Sequence, residues 1–190
     1  MRLFFAINLP SQIKEKLFLL EKDFLSYNLP VKWVEKENFH LSLAFLGNLS
    51  KKEIDLLIKI GRQTAQIFQP FSIFLDTIGA FPSLKFPRVI WVGLKESLQL
   101  KNLYFALNKN LLENGFSLES REFSPHITLG RARVRIENFY QILEKINSKK
   151  IENTSFFTSS FVLYESKLSR TGPLYFKIAS FAFNDKNLFN

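Results

Sequence analysis

Pro125-His126-Ile127-Thr128-Leu129-Gly130-Arg131 has one echo in the chain, Phe39-His40-Leu41-Ser42-Leu43-Ala44-Phe45, and the 190 residues contain no other histidine. Both histidines therefore open the same pattern of His, apolar, hydroxyl, apolar. Serine and threonine make up 23 of the 190 residues. Chance would set a hydroxyl two places after both histidines about once in seventy, and the apolar positions around it lower this to roughly one in a thousand or two. Alternation of polar with apolar residues is the period of a half-buried strand. His40 and Ser42 then share one face, as do His126 and Thr128, while Leu41, Leu43, Ile127 and Leu129 point into a core. Each copy thus offers an imidazole beside a hydroxyl on a rigid element, where a site is held to close geometry.

The two stretches lie 86 residues apart, and the same shift superimposes more than the motifs. Ser11 falls on Ser97, Leu17 on Leu103, Phe71 on Phe157 and Pro87 on Pro173, and Arg2-Leu3-Phe4-Phe5 lands on Arg88-Val89-Ile90-Trp91. Two copies of a strand-helix-strand-helix-strand unit plus a closing strand account for nearly the whole chain. The expected architecture is α+β, or a related two-layer α/β arrangement. It is read as a duplicated, two-lobed, pseudo-twofold fold in which antiparallel sheets line a central cleft with helices outside. Residues 1–190 are expected to form a single domain.

In chain order, Arg2 to Asn8 reads as a strand, and Ser11 as the N-cap of a helix with Ile13, Leu17, Leu20 and Phe24 on one stripe. Val31 to Val34 and Phe39 to Leu46 read as a hairpin or one bent strand turning at Lys36-Glu37-Asn38. Ser50 and Glu53 have the spacing of a capping box before a second helix. Phe71 to Ile78 is a strand, Gly79 to Pro87 a proline-rich loop, and Arg88 to Leu94 a further strand. Ser97 caps a third helix stopped by Gly115, and a fourth carries Phe139, Ile142, Leu143 and Ile146. One strand is expected from Phe156 to Tyr164, a turn over Ser169-Arg170-Thr171-Gly172-Pro173, and a last strand from Leu174 to Phe183.

The absence of cysteine excludes disulfides, thiolate metal sites and cysteine nucleophiles. The apolar N-terminal run is too short for a signal peptide, and no run reaches membrane-spanning length. A soluble cytoplasmic monomer without membrane contact is the expectation. Net charge +9 and a pI near 9.7 fit attraction to a polyanion such as nucleic acid, and equally an ordinary lysine-rich surface.

Two imidazoles facing each other across a cleft can act as acid and base in one turnover. That suits displacement at phosphorus, where attacking and leaving oxygens lie on opposite sides. Ser42, Thr128 and Arg131 are the candidates for holding the non-bridging oxygens. Regular alternation would send Arg131 to the buried side with Ile127 and Leu129, so a bulge or bend at Gly130 is expected to return it to the cleft. Metal ligation by His40 and His126 is not expected, because no Asp, Glu or Cys stands in ligand spacing beside either motif; no cofactor is expected either. Ser42 and Thr128 lack the elbow and the orienting carboxylate of covalent nucleophiles. Arg121, Arg133 and Arg135 read as a general RNA-attracting surface.

At the level of motifs the chain resembles the 2H phosphoesterases, and within them the RNA 2′,3′-cyclic phosphodiesterase branch, historically 2′-5′ RNA ligase. His40-Leu41-Ser42-Leu43 and His126-Ile127-Thr128-Leu129 carry the likeness, with the opening Arg2 to Pro10, Trp33-Val34, Phe45-Leu46-Gly47, Gly79 to Pro82, Pro87 to Gly93 and Leu163 to Ser166. Ser42 departs from the branch's usual threonine; without the methyl group its rotamer is less restricted, and slightly weaker binding is expected. The resemblance implies RNA ending in a 2′,3′-cyclic phosphate as substrate, tRNA fragments among the candidates, and a 2′-phosphate as product. It implies His40 as the acid on the 3′-oxygen and His126 as the base on water, although the pseudosymmetry leaves the two roles interchangeable from sequence. Reversible 2′-5′ ligation would use the same groups. An RNA-end-binding module without turnover is the alternative, and it would tolerate Lys or Arg where the two histidines stand.

Overall fold

The computed structural model describes residues 1–118, 122–146, 151–169 and 172–185. The first half of the chain forms β1 (Arg2–Asn8), α1 (Ser11–Leu25), β2 (Val31–Trp33), a 3-10 turn (Lys36–Asn38), β3 (His40–Asn48), α2 (Ile54–Ala65) and β4 (Phe71–Ser83). The second half forms β5 (Phe86–Leu94), α3 (Leu98–Glu113), β6 (His126–Ala132), α4 (Phe139–Lys145), β7 (Ser155–Thr158), β8 (Ser160–Leu168) and β9 (Pro173–Ala182). The fold is α+β, duplicated and two-lobed.

Among the described residues the strands join in the order β7-β4-β5-β6-β3-β1-β8-β9, all antiparallel, with β2 attached to β6. Shifting by 86 carries β3 onto β6, β1 onto β5 and the body of β4 onto β8, so the six central strands, β4-β5-β6-β3-β1-β8, read alike from either end. Each lobe borrows a strand: β4 of the first repeat pairs with β5, and β8 of the second pairs with β1. The two motif strands, β3 and β6, meet through one backbone pair, Leu41 opposite Ile127. Both side chains are fully buried, each contributing about 1.5–3 kcal/mol by leaving water.

Helices cover the sheet through apolar stripes. Leu17, Leu20 and Phe24 of α1 and Leu103, Leu107 and Leu111 of α3 have no exposed surface. Phe24 packs its ring against Trp33 of β2 at 5.3 Å and Phe139 of α4 at 6.2 Å. The Asn108 amide of α3 donates to the Leu43 carbonyl, and the Asn110 amide to the Thr64 hydroxyl of α2.

Four local expectations change. Ser11 is the first helical residue rather than the cap; the Pro10 carbonyl receives the first N–H groups, and no side chain caps this end. Ser97 and the Ser50–Glu53 box do cap, the latter opening with a 3-10 turn over Lys51–Glu53. Gly79 to Pro87 is no loop but the tip of a β4–β5 hairpin turning at Leu84-Lys85. Gly79 is required there by close approach, since a Cβ would sit 2.2 Å from the Trp91 ring. β2 and β3 do not pair as a hairpin: β2 crosses to β6. The strand expected over 156–164 breaks at Ser159, so that β7 serves β4 and β8 serves β1. These sit at opposite ends of the strand order, which therefore curls its ends together at Ser159. Within the expected 169–173 turn, Arg170 and Thr171 lie outside the described residues.

Gly130 is where β2 closes over β6. A Cβ there would lie 2.5 Å from Val31 and 2.8 Å from Trp33. Gly130→Ala should therefore destabilise the protein by about 1–3 kcal/mol, the usual cost of overpacking, read as a lowered urea midpoint. An unchanged midpoint would mean that β2 is free to lift from β6.

Candidate active site

β3 and β6 run antiparallel about the Leu41–Ile127 pair, a register that directs His40 toward Thr128 and Ser42 toward His126. All four side chains are half-buried on the side away from the core. They line a single cleft of about 320 Å³ together with Arg131, Lys32, Glu35, Asn38 and Tyr175. The structure thus brings together every candidate residue that the sequence singles out.

Each strand is interrupted beyond its hydroxyl in the same way. On β3, Ser42 is opposite Ala6 and Ala44 opposite Phe5, so Leu43 is an extra residue. On β6, Thr128 is opposite Trp91 and Gly130 opposite Ile90, so Leu129 is extra. A bulge reverses the alternation beyond it. It turns Arg131 to the cleft face on β6 and Phe45 to the same face on β3, 86 residues apart. The expected return of Arg131 to the cleft is therefore observed, with the extra residue at Leu129 beside Gly130.

The histidines are held alike. Nδ1 of His40 lies 2.7 Å from the Asn38 carbonyl, and Nδ1 of His126 lies 2.7 Å from the Ser124 carbonyl. A carbonyl only accepts, so each Nδ1 carries the hydrogen and donates it, leaving Nε2 as the nitrogen that gains or loses a proton. Asn38 also donates its side-chain amide to the Pro173 carbonyl at 2.8 Å, tying the start of β9 to the cleft rim. Rings fix the imidazole planes. His40 packs on Phe4 at 5.1 Å and edge-on against Tyr175 at 5.2 Å, while His126 meets Phe81 edge-on at 4.9 Å.

Burial takes the His40 imidazole down from 6.5 to about 4, against the upward pull of the Asn38 carbonyl and with help from Lys14, His126 and Arg131. His126 is lowered as well, by burial first and then Arg131, with the Ser124 carbonyl opposing. Lys14 is nearly buried, its ammonium on the Glu37 carbonyl. Both imidazoles are thus neutral at pH 7, and an entering anion would raise both.

Among the described residues no three His, Asp or Glu side chains gather as a metal ligand set, and none of the helices is long and apolar enough to cross a membrane. Arg133 and Arg135 stand apart from the cleft, around a separate hollow of about 290 Å³ with Arg88 and Phe86; Arg121 lies outside the described residues. Lys32, Tyr175 and Phe45 were not legible as cleft residues, nor Lys14 as a charge acting on His40. Asn38 and Ser124 could have been found, being polar, 86 apart and each two places before a histidine. Tyr175 has no such signal, since only the fold of β9 brings it here.

A family profile described as LigT like Phosphoesterase matches the chain twice, over residues 7–91 and 92–175. An RNA 2′,3′-cyclic phosphodiesterase of Thermotoga maritima is 31% identical over 175 residues, 92% of this chain and 91% of that one. Another, of Archaeoglobus fulgidus, is 34% identical over 176 residues, 92% and 96% of the two chains. The crystal structure of TT0787 of Thermus thermophilus shares the fold with a TM-score of 0.84 at 24% identity, covering 98% of this chain and 100% of that one.

For both histidines the folded-state value is depressed, so each favours its neutral form on folding. The stability this contributes is complete above about pH 6.5 and is lost as the pH falls below it, for His40 toward about 4. Proton NMR should show two histidine ring signals titrating below 6.5, His40 at the lower pH, and both moving up when inorganic phosphate is added. A His40 titration at or above 6.5 in the empty protein would contradict the burial account.

Proposed function

This chain belongs to the LigT-like phosphoesterase family, and on that premise we propose that it hydrolyses the 2′,3′-cyclic phosphate at an RNA end, leaving a 2′-phosphate and a free 3′-hydroxyl. The observation that carries this reading is the matched pair of imidazoles, each with Nδ1 engaged by the carbonyl two residues before it and both lining a cleft with two hydroxyls and a guanidinium. In the hydrolytic direction His126 Nε2 takes a proton from water as its oxygen bonds to phosphorus. His40 Nε2–H gives a proton to the 3′-oxygen as its bond to phosphorus breaks. Ser42, Thr128 and Arg131 hold the non-bridging oxygens, where charge concentrates in the transition state.

His40 can serve as acid only when protonated. The phosphodiester brings a negative charge beside an imidazole that Lys14 and Arg131 act on. The reaction needs no redox partner, and the cleft's polar set is imidazole, hydroxyl, guanidinium, ammonium and amide with the single carboxylate of Glu35. That set suits proton transfer and anion binding better than a hard divalent cation, which seeks several carboxylate oxygens. We read the two lobes as one catalytic domain, since neither lobe alone holds both histidines.

His40→Ala and His126→Ala should each lower hydrolysis of adenosine 2′,3′-cyclic phosphate by about 10²–10⁴-fold, with excess EDTA leaving the wild-type rate unchanged and the product phosphate on the 2′-oxygen. A 3′-thio leaving group, which departs without a proton, should restore His40→Ala selectively; restoration of His126→Ala instead would exchange the two roles. Near-normal turnover by either folded variant would refute paired acid–base catalysis, and a folded wild type that binds such ends without turning them over would be an RNA-end-binding module.

Arg131→Ala should cost one or more orders of magnitude in kcat/KM, through binding, turnover or both. Arg133→Ala should only soften the salt dependence of RNA affinity. Small and equal effects would reduce Arg131 to part of the basic surface.

A further inference from the structure

β2 is three residues long, and its outer two pack: Val31 and Trp33 close over Gly130 of β6. Lys32 stands between them and, by the alternation of a strand, presents its side chain to the other face, where it lines the catalytic cleft. Its partner in the ladder is Arg131, so two cations stand directly opposite each other, an arrangement that lowers stability. Among the described residues neither is in an ion pair, and Glu35, the carboxylate of the same lining, is within ion-pair reach of neither. Folding does not account for this pair, whereas a ligand with two negative charges does. We propose that Lys32 holds the phosphodiester on the 5′ side of the RNA's terminal nucleotide while Arg131 serves the cyclic phosphate, a reading that rests on the cyclic-phosphate function above.

The two cations attend to different parts of the cleft. The Arg131 charge acts on both imidazoles and on the Tyr175 phenol, pulling each down, whereas that of Lys32 acts on none of the three. The Lys32 ammonium lies instead at the rim formed by the start of β9: Nζ is 3.7 Å and Cε 3.8 Å from the point that a Cβ on Gly172 would occupy. That rim is fixed, because the Asn38 amide donates to the Pro173 carbonyl at 2.8 Å. Asn38 also accepts from His40 through its own carbonyl, so one residue places both the imidazole and the rim against which Lys32 lies. A terminal nucleotide carries its two phosphates on different sides of one ribose, the 2′,3′-cyclic phosphate that reacts and the 5′-phosphodiester that leads back into the chain. The cleft offers a cation for each, at separate places. Lysine suits the second role, since a phosphodiester that is bound but not transformed needs a point charge more than a bidentate fork. The contact reads backbone and not base, so it favours an RNA end over a lone nucleoside cyclic phosphate whatever the sequence.

The test uses two dinucleotides that end in adenosine 2′,3′-cyclic phosphate and differ only in their linkage, a natural phosphodiester in one and an uncharged methylphosphonate in the other, with the first ribose 2′-O-methylated in both. Wild type should prefer the charged linkage by about 3- to 30-fold in kcat/KM, between the worth of an exposed ion pair and that of a charge-assisted hydrogen bond, mainly through KM. That preference should shrink about threefold between about 50 and 200 mM salt, as expected for one phosphate contact. In Lys32→Met, which keeps the apolar stem, the preference should vanish, and activity on the uncharged substrate shows that the variant is folded. Lys32→Arg should retain the preference. Lys109→Met, on α3 where Lys109 pairs with Glu113, removes the same charge away from the cleft and should also retain it. No preference in wild type, a preference that survives Lys32→Met, or one lost equally in Lys109→Met would overturn the proposal while leaving the hydrolytic function intact. A wild-type protein inactive on both substrates would instead refute the function. The same dinucleotides would then serve as unreactive ligands in isothermal titration. Tighter binding of the charged linkage that is lost in Lys32→Met supports the contact, and equal binding of the two by wild type overturns it.

Discussion

The architecture of the site depends on one antiparallel contact, that of Leu41 with Ile127. These residues follow the two histidines and are themselves 86 apart, so the pseudo-twofold axis passes between them. Because side chains alternate along a strand, burying this pair in the core forces its neighbours on both strands to the opposite face. The two histidines and two hydroxyls reach a shared cleft for that reason. The contact is narrow, yet both side chains are wholly excluded from water, and a one-residue slip of either strand would bury an imidazole and expose a leucine or isoleucine.

Strand exchange reinforces so narrow a seam. β4 leaves the first repeat to pair with β5 of the second, and β8 returns the exchange by pairing with β1. Neither repeat can therefore close its sheet alone, and separating the lobes would break ladders on both sides of the cleft. The backbone that carries the histidines is held from several directions: β1 pairs along β3, β5 along β6, and β2 seals the outer end of β6 over Gly130. Rigid elements of this kind keep reacting groups in place better than loops can.

Within the cleft, symmetry of backbone coexists with asymmetry of surroundings. Both imidazoles donate Nδ1–H to a carbonyl two residues back, a local device that each strand builds for itself. The field around them differs. His40 is more deeply enclosed, between Phe4 and Tyr175 and near Lys14, whereas His126 lies against Phe81 and Trp91. The bulges diverge in the same sense, since one presents a guanidinium and the other a phenyl ring. The duplicated scaffold thereby carries an anion-attracting half and an apolar half.

The sequence by itself determined the strand period of both motifs, their 86-residue spacing, the common face of His40 with Ser42 and of His126 with Thr128, and the parity conflict at Arg131. These were legible because alternation and repetition are local or self-referential: a side chain's face follows from its neighbours along the same strand. Only the tertiary structure decided that β2 leaves β3 for β6, that residues 79–87 pair instead of looping, that 155–168 divides at Ser159, and that Tyr175 and Phe45 line the cleft. Each of these depends on which strand lies alongside. Gly79 beneath Trp91 and Gly130 beneath Val31 look like loop or bulge signals in sequence, but their role is close approach by a partner distant in the chain. Hydrophobic pattern specifies a face; the choice of neighbour is settled by packing between segments that the pattern does not name.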